Sequence, residues 1–175
     1  WSYNLIVRTT SKIGDSCTGI KNITLSSSGA YLAAIFNNGE FYIIPTNGEV
    51  KFKIADFAVD AHFASDDKKV AYQDVSGRFH IYFLDDFLSD IRKRKGEMID
   101  IETVYETSSH FEWYNDAFHF FVQSGGNLSF SEIDDRIPRN TYIVKEKISK
   151  YIYDGNTQLL YILEDGKLSR IEFKF

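Results

Sequence analysis

Four histidines, one cysteine and three aspartate pairs are the side chains of this 175-residue sequence whose chemistry could reach beyond packing. A zinc site wants ligands at close, regular spacing, often with cysteine partners. His62, His80, His110 and His119 lack that spacing, and His119 sits in an apolar run where a hydrogen-bonded flanking imidazole is expected. Cys17 has no base in its neighbourhood to make a nucleophile of it, so it reads as an ordinary thiol. Asp66-Asp67, Asp85-Asp86 and Asp134-Asp135 stand at turns or strand exits, where aspartate bonds nearby backbone N–H groups. The glycines of 11–19 are followed by neither Gly-Lys-Ser/Thr nor a helix, which excludes a phosphate-binding loop. Asn22-Ile23-Thr24 and Asn127-Leu128-Ser129 match the glycosylation sequon but fall in strand-like segments, as chance matches do. With no Ser/His/Asp set, paired glycosidase carboxylates or cofactor fingerprint, the reading names no catalytic residue, metal ligand or cofactor.

One stretch has a character of its own. Residues 85–97 read DDFLSDIRKRKGE, with an acidic start, a basic finish and a glycine stop. These signals predict a short capped helix, or an exposed loop, carrying Phe87, Leu88 and Ile91 on one face. Arg92, Lys93, Arg94 and Lys95 are expected in solvent, since four like charges would be very costly to bury unpaired. They are the only candidate partner-binding residues, suited to an acidic protein, an anionic lipid surface or an import receptor. A plain solvated segment is the alternative.

The elements that must position these residues are strands. Residues 23–26, the turn Ser27-Ser28-Gly29, the apolar run 30–36, Asn37-Asn38-Gly39 and residues 40–44 form one unit of three strands. Asn-Gly between two strand-like runs predicts a type I′ hairpin. The plan returns at 61–84, 110–133 and 150–173, with hairpin glycines Gly39, Gly77, Gly126 and Gly166 spaced 38, 49 and 40 residues apart. Residues 48–57, 98–106 and 141–147 alternate apolar and polar, as a half-exposed fourth strand would. A period of about 40 residues with four strands per unit is the signature of a β-propeller blade. The expected fold is all-β, with blades at about 20–57, 58–106 (carrying the insertion 85–96), 109–147 and 148–175. Leu32, Ala34 and Phe36 of the apolar run, with Val70, Phe120, Val122, Leu160 and Ile162, are its expected core, and Phe111, Trp113 and Tyr114 are expected to fill space between blades.

Eleven Tyr and fifteen Phe against two Pro and one Met suit an ordered, strand-rich chain. A net charge of −5 argues against general nucleic-acid affinity, which needs a basic surface. A single cysteine favours a reducing compartment. No apolar run approaches the roughly 18 residues of a spanning helix, and no signal peptide is visible, so a soluble intracellular protein is expected. Residues 3–10 form an outer-type strand with no blade before it, and the fourth unit ends after its third strand. Either that strand completes the last blade, or these blades belong to a larger propeller; the second is preferred.

The unit resembles a divergent WD40-type repeat. The Trp-Asp pair of that family is replaced by Leu84-Asp85, Ile133-Asp134 and Ile44-Pro45, and its Gly-His pair is absent. The stretch ITLSSSGAYLAAIFNNGEFYII is similar to the propellers of membrane-traffic scaffolds: the neuroblastoma-amplified tether, vacuolar-sorting tether subunits and coatomer. That resemblance implies a non-enzymatic interaction scaffold within a larger complex, cytoplasmic and peripheral to an endomembrane through its partners. Nucleoporin, kinetochore and translation-factor propellers share the pattern. A propeller enzyme would use the innermost strands, whose polar residues Thr24, Ser26, His62, Ser65, Glu112 and Tyr151 do not converge on a reaction type.

Overall fold

The computed structural model describes residues 18–89, 91–101, 108–136 and 138–173. The outer-type strand at 3–10, Cys17 with most of its loop, the end of the 98–106 strand and Phe175 lie outside these residues. The chain runs through β1 (Ile20–Leu25), β2 (Tyr31–Phe36), β3 (Phe41–Pro45) and β4 (Phe52–Ala55), which pair in that order as the first sheet. Next come β5 (Ala58–Phe63), β6 (Lys69–Asp74), β7 (Phe79–Phe83), a hairpin of β8 (Phe87–Leu88) with β9 (Arg92–Lys93), and β10 (Met98–Ile101). The second sheet is ordered β5-β6-β7-β10, so the hairpin interrupts the step to the outer strand. The third sheet orders β11 (Ser108–Trp113), β12 (His119–Ser124), β13 (Asn127–Glu132) and β14 (Thr141–Lys145). The fourth joins β15 (Lys150–Asp154), β16 (Leu159–Glu164) and β17 (Lys167–Glu172). All pairings are antiparallel, and the described residues contain no helix. This is the all-β propeller plan expected of the repeat.

The turns follow local chemistry, with one difference from expectation. A type I′ turn needs two successive residues with positive φ. Gly125-Gly126 (57° and 79°) and Asp165-Gly166 (47° and 73°) meet that condition. Asn37-Asn38-Gly39 does not, because only Gly39 is left-handed, at 87°. There the Gly39 N–H donates to Phe36 O and the Phe36 N–H to Glu40 O, closing a longer loop with the glycine at its end.

Each sheet buries apolar side chains against the next. Phe41 and Ile43 of the first meet Ala61, Val70 and Tyr72 of the second. Phe79 and Ile81 meet Phe111, Phe120 and Val122 of the third. Leu128 and Phe130 meet Tyr151, Leu160 and Ile162 of the fourth. Ala34, Val70, Phe120, Val122, Leu160 and Ile162 are buried as expected. Leu32 and Phe36 are only half-buried, because they stand on the face of the first sheet turned away from the second. Trp113 fills the junction between second and third sheets, its indole Nε1–H donating to His62 O at 2.9 Å.

A chain of hydrogen bonds also links the turns that follow each innermost strand. Asp67 accepts the backbone N–H groups of Ser27 (2.8 Å) and Ser28 (2.6 Å) on the first sheet. Ser65 Oγ donates to Asn115 O at 2.9 Å, and Asn115 Nδ2 to Gly155 O at 2.5 Å. Burial works to raise the Asp67 carboxyl, but the hydrogen bonds from Ser28 and Ser27 outweigh it and hold it below its ordinary value.

Two outcomes test this packing. Phe120→Ala should cost about 3–5 kcal/mol in urea unfolding, and a loss under about 1 kcal/mol would put β12 on the surface. Asp67→Ala should cost about 1 kcal/mol at neutral pH, since its accepted bonds are near solvent. A carboxyl lowered by folding stabilises above its unfolded value, here 3.8, and that stability drains away as pH falls through the folded value. The wild-type advantage over Asp67→Ala should therefore vanish on acidification below about pH 4. An advantage unchanged by acid would mean the contact is not electrostatic.

Candidate functional site

Antiparallel order puts the connections between third and outer strands at the same end as the stapled turns. Thr46 N donates to Ala30 O, Leu84 N to Lys68 O and Ile133 N to Phe118 O, tying each connection to its turn. The insertion therefore stands on this face, above the second and third sheets. It is a β-hairpin and not the helix that its charges suggest. Its ends are held side by side, with Phe83 N donating to Glu97 O and Gly96 N to Phe83 O. Between such close ends a helix could make barely more than one turn, too few to offset nucleation. Alternation instead sends Phe87 inward and Leu88 outward, with Ile91 buried and Arg92 exposed.

The base of the hairpin is fixed by a buried cation. Lys69, with no exposed surface, forms an ion pair with Asp66 and places Nζ 4.1 Å from the centre of the Phe87 ring. Phe118 packs beside Phe87, its ring centre 5.1 Å from the Phe87 ring and 5.9 Å from the same nitrogen. Burial drives the Lys69 ammonium below its usual pKa, against the opposing pull of Asp66. Sequence reading passed over Lys69, whose one visible signal is its place beside the apolar run of β6.

The four basic residues divide. Lys93 is mostly covered and pairs with Asp135 at 2.6 Å, which links the hairpin to the corresponding connection of the third sheet. Arg92, Arg94 and Lys95 are exposed, and no carboxylate among the described residues pairs with them. Backbone contacts shape their strand: Lys95 N donates to Asp86 at 2.9 Å and Arg94 N to Glu97 at 2.6 Å. Leu88, 75% exposed, stands on the same hairpin. A cavity of about 230 Å³ lies beneath, between the hairpin and the third sheet, with Ile91, Phe118 and Ile133 as its apolar wall.

The innermost strands carry a second polar set, and the structure uses it to join sheets. Asn22 Nδ2 donates to Asp60 at 3.3 Å, and Asp60 pairs with His62 at 2.8 Å. Burial alone would raise the Asp60 carboxyl; the His62 hydrogen bond reverses this and holds it below its ordinary value. His62 meets the His110 ring edge-on at 6.4 Å, and His110 lies 3.5 Å from Glu112. Glu112 accepts the Tyr153 N–H at 2.7 Å. Thr24 donates to Ala61 O, buried Ser26 accepts the Tyr31 N–H, and Tyr151 donates to Phe121 O. His80 on β7 lies on Asp74 and Asp100, and His119, at the start of β12, lies on Asp116. Among the described residues no group of three or more His, Cys, Asp or Glu is placed to hold a metal. Asn22 and Leu128 of the two sequon matches are themselves parts of junctions.

No protein-family model matches the chain, and no curated protein sequence does. Solved structures do. The β-propeller domain of Cps50 (Swd1) from Myceliophteria thermophila matches with a TM-score of 0.60 and 13% identity, over 87% of this chain and 52% of that one. A candidate 6-phosphogluconolactonase of Bacteroides fragilis matches with a TM-score of 0.52 and 13% identity, over 87% of this chain and 53% of its own. Tricorn protease matches with a TM-score of 0.59 and 12% identity, over 87% of this chain and 15% of that one. The chain thus spans about half the length of the first two. Likeness at this identity concerns the fold alone, and it joins the repeat and the sheet order in one conclusion: the chain has the β-propeller fold.

Proposed function

We propose that this propeller module is a non-enzymatic scaffold that holds a protein partner of a larger assembly, with the hairpin face as its docking surface. The observation that carries the reading is the set Arg92, Arg94 and Lys95. Three exposed cations with no carboxylate partner among the described residues stand on a hairpin held at its base by Lys69 and at its side by Lys93. A rigid basic edge beside an exposed leucine suits an acidic protein segment with an apolar anchor. Thr24, Ser65, Glu112 and Tyr151, polar residues where a propeller enzyme would work, are occupied in joining sheets, which supports a scaffold over a catalyst. The likeness to traffic tethers and coats suggests a cytoplasmic complex at the edge of an endomembrane. No helix among the described residues is long and apolar enough to cross a membrane.

The test is the triple variant Arg92→Ser, Arg94→Ser, Lys95→Ser, with Lys93 kept for its role in the fold. Its unfolding midpoint should stay within about 0.5 kcal/mol of the parent, as for other surface changes. Binding of a fluorescent Asp/Glu-rich peptide should weaken at least tenfold, and the difference should fade in high salt, where exposed charges are screened over about 3 Å. Binding to phosphatidylserine vesicles but not to the peptide would shift the reading to a membrane surface. Binding to neither would remove the docking role of the hairpin.

A further inference from the structure

The cavity of about 230 Å³ beneath the hairpin is lined by a hydroxyl without a partner. Ser89 stands in its wall with Ile91, Phe118 and Ile133, and the Ser89 Oγ is buried with no hydrogen-bond partner among the described residues. A buried hydroxyl left unpaired costs free energy, and native proteins keep few of them. The charged groups around the cavity are already matched. Asp116 meets His119 Nδ1 at 2.7 Å, and Asp134 pairs with the Arg136 guanidinium. The Phe118 ring is 39% exposed, so an aromatic surface is open to contact. The volume falls short of the roughly 300–1,000 Å³ of pockets built for whole small molecules. It greatly exceeds the roughly 30 Å³ share of one water, and it suits a single large side chain.

We propose that this cavity is an anchor pocket whose occupant is a tyrosine side chain of the acidic partner segment. The proposal rests on the reading of the basic hairpin edge as a docking surface. Ile91 of the cavity wall runs directly into Arg92, so the pocket and the cations that attract the segment are neighbours. The tyrosine ring packs on Ile91, Phe118 and Ile133, and its hydroxyl completes the Ser89 Oγ. Buried tyrosine requires such a polar partner, and tyrosine is prominent among interface anchors. Phenylalanine would leave the Ser89 hydroxyl unpaired. A charged side chain would shed its water beside ion pairs that are already closed. A smaller hollow of about 50 Å³ shares His119 and Glu132 with the cavity and reaches exposed Tyr142. It gives the rest of the segment a path across the third sheet.

Fluorescence anisotropy with three Asp/Glu-rich peptides, identical except for a central Tyr, Phe or Ala, tests this. The Tyr peptide should bind at least tenfold tighter than the Ala peptide, as an anchor residue does. It should bind about fivefold tighter than the Phe peptide, the share of one neutral hydrogen bond. Ser89→Ala should abolish the difference between Tyr and Phe while leaving the Ala peptide unchanged. Its own unfolding midpoint should not fall, because the hydroxyl that it removes has no partner in the free protein. Tyr and Ala peptides that bind alike, and are both weakened by the triple serine variant, would overturn the anchor pocket and leave the docking surface standing. A preference for Tyr over Phe that survives Ser89→Ala would overturn the role of Ser89 and the choice of tyrosine with it. A Tyr preference with affinity unchanged in the triple serine variant would keep the pocket and remove the basic edge. Three peptides that all fail to bind would overturn both.

Discussion

Every sheet here has two apolar faces, and a single sheet of three or four strands cannot bury either alone. That constraint decides the rest. Phe41, Phe79 and Leu128 recur at one position because each must meet the next sheet, and Ala61, Phe111 and Tyr151 recur because each must meet the previous one. Close approach of the inner strands leaves their polar groups nowhere to go but across the junction. Thr24, Asn22, His62 and Glu112 accordingly bond to the neighbouring sheet or line up with its rings. The side chains that first suggest chemistry are consumed by architecture.

Much of the fold was legible in the sequence because turn chemistry and period-2 alternation are local properties. Gly39, Gly77, Gly126 and Gly166 mark hairpins whatever surrounds them, and the outer strands announced themselves at 52–55, 98–101 and 141–145 by alternation. What local pattern could not supply was the face. Leu32 and Phe36 are as apolar as Phe120, yet only Phe120 points into a junction. The turn at Gly39 shows the same limit, since Asn-Gly permits a type I′ geometry but does not impose it.

The candidate site was legible in its location and not in its form. The insertion was visible as a break in the repeat, and its basic run was visible as charge. Helix signals at 85–96 misled because they ignore that both ends of the segment are fixed to β7 and β10. Lys93 looked like its three neighbours until Asp135, 42 residues away, was brought beside it. Asp67 was read as a residue of its own turn, and it serves the turn of the preceding sheet instead. Contacts between sheets are long-range, and no spacing rule encodes them.

Asn115 occupies a particular place in the chain of stapled turns, accepting from Ser65 through its carbonyl and donating to Gly155 through its side chain. Gly155 can take this contact because any Cβ there would come within 2.2 Å of the Asn115 amide oxygen. The four units are thus wired in series with one shared node between the second and the fourth. In the language of nearest-neighbour repeat arrays, the coupling between adjacent units sets how far a local opening spreads. A fluctuation that frees the turn at 115 severs both its neighbours at once, so the natural fracture line of the arc runs through the third unit and not through either end.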